Sequence, residues 1–134
     1  MKFGTALVIS SDDDLRLNLV RVLSRNGWNV KAQTSFFSEH LVDPTASFPA
    51  KLLADVLVLH YTTSKVEALD LLMDLHRDHP ELPIIILASR NEGEKPIVSR
   101  EVVLGLGAKD FFLLPLTFDD LLTALEASVS AVVA

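Results

Sequence analysis

Short apolar runs alternate along the chain with longer stretches in which apolar residues recur every three or four positions. The runs are Thr5-Ala6-Leu7-Val8-Ile9-Ser10, Val56-Leu57-Val58-Leu59, Ile84-Ile85-Ile86-Leu87-Ala88 and Phe111-Phe112-Leu113-Leu114. Each is too short for a helix and reads as a strand buried in a sheet. Trp28-Asn29-Val30-Lys31-Ala32 alternates instead, as a half-exposed edge strand does.

Between the runs the period changes to that of a helix. Asp12-Asp13-Asp14 suits an N-cap and the positive end of a helix dipole, and the helix carries Leu15, Leu19, Val22 and Leu23 on one face to about Asn26. Gly27 stands where a left-handed residue closes a helix. The spacing of Val66, Leu69, Leu72, Met73 and Leu75 gives a second amphipathic helix over Lys65–His79, stopped by Pro80. Pro96 suits a first helical position, and Ile97–Leu104 is then a helix ended by Gly105 and Gly107. Thr117 with Asp120 resembles a capping box opening a last helix, with Leu121, Leu122 and Leu125 inward.

Residues 33–53 are less legible. A short helix fits Ser35–Val42, a loop fits Asp43–Pro49, and a brief helix fits Ala50–Leu53. The chain then alternates strand and helix five times. Right-handed crossovers turn that order into a doubly wound parallel α/β sheet with helices on both faces.

Composition narrows the picture little further. One domain of 134 residues has room for a core, and 49% hydrophobic residues supply it. A net charge of −6 argues against nucleic-acid contact, which needs a basic patch. The absence of cysteine excludes disulfides and thiolate metal sites. No apolar stretch approaches a membrane span, and Met1-Lys2-Phe3-Gly4 leads straight into a strand, so a cytoplasmic location is expected.

The order and lengths of these elements resemble the receiver domain of bacterial response regulators over nearly the whole chain. Leu15-Arg16, Leu19, Leu23, Gly27 and Val30 are similar to the family's first helix and second strand. Ala54-Asp55 and its apolar run resemble the third strand, and Leu82-Pro83-Ile84-Ile85-Ile86-Leu87 the fourth. Gly107-Ala108-Lys109-Asp110-Phe111 before a Leu-Pro pair resembles the fifth. The resemblance implies a flavodoxin-like, five-stranded parallel sheet of order 2-1-3-4-5. Extra length sets residues 43–53 and the loop around Glu92–Pro96 apart from the family.

Family receivers accept a phosphoryl group on an aspartate at the end of the third strand. Two acidic residues hold Mg²⁺, a Thr or Ser donates a hydroxyl, and a Lys contacts the phosphoryl group. Laid on this chain, the acceptor falls at His60, the acidic pair at Ser10 and Ser11, the hydroxyl at Ala88 and the lysine at Leu114. All five positions are changed. Sliding the register by two would place Asp12 and Asp13 at the acidic pair, but would break the match through Leu15, Leu19, Leu23 and Gly27. Asp12–Asp14 are therefore read as loop and capping residues, and Mg²⁺ binding is expected to be lost.

His60 could itself accept a phosphoryl group or bind a metal, but no magnesium cage or lysine is left to stabilise the transfer. A polar, hydrogen-bonded or solvated residue at a strand end is the plainer reading. His76 and His79 have a metal-binding spacing on one helix without a third ligand nearby in sequence, so they read as surface residues. Gly105-Leu106-Gly107 follows a helix, the reverse of a dinucleotide loop, and reads as a helix stop.

Phe111 matches the family's switch aromatic, and with Ala88 in place of the hydroxyl it should stay in one rotamer. Leu114-Pro115 matches a peptide that is usually cis in the family. The expectation is a non-enzymatic, non-phosphorylatable receiver-like domain over residues 1–128, with 129–134 as a helical extension or the start of a linker. It would work as a protein–protein interaction module, through a protein partner, an output domain or a homodimer, and without membrane or nucleic acid. By resemblance, its contact face would include Val102, Val103, Phe111 and Leu122. Val129 and Val132 would prolong that apolar stripe. A small molecule held near His60 is the alternative.

Overall fold

The computed structural model describes residues 4–34, 54–62, 67–89, 100–114 and 117–133. The elements follow the order β1 (Gly4–Ile9), α1 (Asp13–Arg25), β2 (Trp28–Gln33), β3 (Val56–Thr62), α2 (Glu67–Asp78), β4 (Ile84–Ser89), α3 (Arg100–Gly105), β5 (Asp110–Leu113) and α4 (Phe118–Val133). The strands form one five-stranded sheet in the order β2-β1-β3-β4-β5, every neighbouring pair parallel. This is the doubly wound, flavodoxin-like arrangement. The predicted short helices at Ser35–Val42 and Ala50–Leu53 lie outside the described residues, as do the Arg90–Lys95 loop, Pro96 and the Leu114-Pro115 peptide.

Side chains of a strand alternate between faces, and here the alternation divides the core in two. Ala6, Val8, Val56, Val58, Ile85 and Leu87 pack with Leu19 and Leu23 of α1 and Leu121 and Leu125 of α4. Leu7, Ile9, Leu57, Leu59, Ile84 and Ile86 pack with Leu72 and Leu75 of α2 and Val103 of α3. Both faces of β1, β3 and β4 are therefore covered, which is why those strands are continuous apolar runs. Strand β2, at the edge, keeps Asn29 and Lys31 exposed.

The helix ends obey local chemistry. Asp12 caps α1, its carboxylate accepting from the Leu15 amide at 3.0 Å, and Asp13 and Asp14 fill the acidic first turn. Past α3, the Ala108 amide donates to the Val103 carbonyl (3.2 Å) and the Gly107 amide to that of Leu104 (3.1 Å). That paired closure requires a left-handed residue at Gly107, whose φ is +118°. At α4 the Thr117 hydroxyl donates to the Asp120 carboxylate (2.7 Å), closing the first turn side chain to side chain.

Candidate functional site

In an open parallel sheet the ligand-facing edge is the one where strands end, at the point where the order reverses. Here that point lies between β1 and β3. Ile9 is opposite Leu59, so the next residues, Ser10 and His60, come together. The Ser10 hydroxyl and His60 Nδ1 are 2.9 Å apart, with Ser10 1% and His60 7% exposed.

His60 does not end its strand. Tyr61 and Thr62, both good strand formers, carry β3 two residues further, and His60, Tyr61 and Thr62 pair with Leu87, Ala88 and Ser89 of β4. The ring is thereby held inside the ladder rather than at an exposed end.

The Ser10 hydroxyl is the hub of the adjoining turn. It accepts from the Asp12 amide at 3.1 Å, and the Asp12 carbonyl lies 3.4 Å away. The hydroxyl is hydrogen-bonded to His60 Nδ1 at 2.9 Å, and its bond to the Asp12 carbonyl is long. The Asp12 carbonyl in any case accepts from the Arg16 amide at 2.9 Å. Burial holds the His60 pKa below the usual 6.5, and the nearby Asp12 carboxylate opposes that shift in part.

Arg16 completes the turn. Its Nη1 donates to the Ser10 carbonyl at 2.9 Å while Nη2 pairs with the Asp13 carboxylate. Nothing in the sequence pattern singled out Arg16 for this role. Its spacing of six from Ser10, across a cap and one turn of helix, was the available signal.

Ser11 is exposed, and Asp12 faces solvent as the cap. Ala88 is fully buried among apolar neighbours, and the half-buried Leu114 donates its amide to the Ala88 carbonyl at 2.8 Å. One capping carboxylate, another tied to Arg16 and a hydroxyl already used by an imidazole do not fit a hard divalent cation, which takes six or more oxygens including carboxylates. Among the described residues no group of three His, Cys, Asp or Glu side chains could hold a metal ion, and His76 and His79 have no third ligand.

The expected contact face needs correction. Val103 is 0% exposed and Phe111 5% exposed, both in the α2–α3 half of the core, so neither belongs to the surface. Leu122 is half-buried against the other half. Val102, one position and about 100° around α3 from Val103, is 51% exposed. The side chains of Val129 and Val132 lie outside the described residues.

No protein-family model matches the chain, and a search of characterised proteins finds no match. Solved structures do. A response-regulator receiver domain protein from Clostridium thermocellum superposes with a TM-score of 0.74, covering 96% of this chain and 95% of that one at 19% identity. The receiver domain of the Francisella response regulator 1452 gives 0.72, with 96% and 98% covered at 18% identity. The fold is that of response-regulator receiver domains. NtrX from Brucella abortus gives 0.71 at 20% identity, with 95% of this chain but 26% of that chain covered, so there the receiver-like part belongs to a longer protein. In this receiver fold, Ser10 and His60 occupy the β1–β3 crevice at the ends of the central strands.

Proposed function

We propose that the chain is a degenerate receiver domain in bacterial two-component signalling, one that acts by protein contact and not by aspartyl phosphorylation. The observation that carries this reading is the closed Ser10–His60 pair. Aspartyl phosphorylation needs a carboxylate nucleophile beside a metal and a cation. A buried neutral imidazole whose Nδ1 is engaged by a serine offers none of these, and Ala88 and Leu114 withhold the hydroxyl and the ammonium. Mg²⁺ binding is lost with the carboxylates, and signal passes to a protein partner or to an output domain carried on a longer chain.

The test is an amide NMR titration with Mg²⁺ and beryllofluoride, a mimic of the phosphoryl group. The resonances of Ser11, Asp12, His60 and Ala88 should stay in place. Saturable shifts clustered at His60 and Ser11 would restore phosphoryl chemistry and end this reading.

A further inference from the structure

The Ser10 hydroxyl joins two structures that are otherwise separate: the imidazole on β3 and the turn that starts α1. Its oxygen accepts from the Asp12 amide, it is hydrogen-bonded to His60 Nδ1 at 2.9 Å, and the Asp12 carbonyl lies at 3.4 Å. Ser10 and His60 are buried while Asp12 faces solvent, so a titratable ring inside the fold is linked to an exposed turn. We propose that His60 and Ser10 form a proton-operated latch that sets the conformation of the β1–α1 turn and the cap of α1. The proposal does not depend on the signalling role argued above.

The two states differ by one proton and the direction of one hydrogen bond. In the neutral state Ser10 donates to Nδ1. When a proton from solvent binds Nδ1, the ring N–H must donate, and the Ser10 oxygen receives it. The hydroxyl proton then has to turn to the Asp12 carbonyl, drawing that peptide inward from 3.4 Å. The new imidazolium charge also attracts the Asp12 carboxylate, which in the neutral state caps the Leu15 amide. Both effects pull on the same residue, and both loosen the same cap.

The charges around the ring favour a response of this kind. From the β1–α1 turn, Asp12 faces it and favours protonation. From α1, Arg16 bears on the Ser10 carbonyl but is paired with Asp13, which mutes its charge toward the ring. Strand β4 presents only Leu87 and Ala88 beside His60, and the α4 side chains in that half of the core, Phe118, Leu121 and Leu125, are apolar. Among the described residues, burial therefore opposes the proton and the Asp12 carboxylate invites it.

The test follows the His60 ring and the backbone amides of the full chain by NMR from pH 8 to pH 5. His60 should titrate below 6.5, and the Asp12 and Leu15 amides should move with the same midpoint. In Ser10→Ala the ring should still titrate while the two amides follow it only by the smaller shift that the charge on Asp12 produces, and Ser10→Thr, which keeps the hydroxyl, should restore the full shift. The proposal falls if the two amides ignore the His60 midpoint in the natural chain, or if Ser10→Ala leaves their full shift intact. Should Ser10→Ala not fold, the natural chain and Ser10→Thr decide the matter between them.

Discussion

A buried imidazole that binds its proton less readily when folded than when unfolded makes stability depend on pH with a definite sign. The His60 pKa is lowered by burial, so below 6.5 the unfolded chain takes up the proton first. The stabilising effect of keeping His60 neutral is complete above 6.5. It shrinks as pH falls from there towards the folded-state value, and the loss levels off beneath it. The thermal midpoint should therefore drop on acidification below 6.5, and the drop should be smaller in His60→Gln, which keeps a polar side chain but cannot titrate. Differential scanning calorimetry at a series of pH values measures both. Equal slopes for the two proteins would mean that His60 is not the titrating group.

Two glycines two residues apart show how an element is ended, and they make opposite predictions. Gly105 is the last residue of α3 and a Cβ there would meet nothing within 4 Å. Gly107 has φ +118°, and a Cβ there would run into the His76 ring of α2. Gly107→Ala should lower unfolding stability by about 1–3 kcal/mol from the backbone alone, with the His76 contact adding to it. Gly105→Ala should be neutral or stabilise by up to about 1 kcal/mol. Urea unfolding of both variants decides it, and similar losses for the two would show that the positive φ at Gly107 carries no special cost.

At this scale the sequence was also most readable. The helix stop, the Asp12 cap and all five strands follow from periodicity and turn chemistry, because both are local. What periodicity leaves out is which of two neighbouring residues turns inward. Val102 and Val103 are chemically alike, and only the packing of α3 on β5 separates an exposed side chain from a buried one. Phe111 was misplaced for the same reason, since its face is set by the parity of β5 against Ile86. The Ser10–His60 bond was out of reach too. It spans fifty positions, and it exists only because β1 and β3 pair with Ile9 opposite Leu59.

How the whole molecule meets another follows from what its surface closes off. An open sheet edge invites strand addition, and β5 is such an edge. Its Phe111 amide, however, donates to the Asp110 carboxylate (2.8 Å), and its Phe111 carbonyl accepts from Arg100 Nη1 (2.8 Å). Arg100 also pairs with Asp110 at 2.9 Å, so side chains already occupy the bonds a second strand would make there. That hinders strand addition at β5, one of the two edges of the sheet. Among the described residues the exposed large apolar side chains are Leu17, Met73 and Val102, one each on α1, α2 and α3. The apolar stretch that continues is the end of α4, where Val129, Val132 and Val133 prolong a helix that runs to Val133. A double substitution, Val129→Glu with Val132→Glu, should therefore leave the fold unchanged by circular dichroism and abolish association. Light scattering after gel filtration should give the natural chain a concentration-dependent mass above 14.7 kDa and the variant a constant mass at that value. Identical masses for the two at every concentration would mean that α4 does not pair copies of this chain, and the contact surface would have to be sought elsewhere.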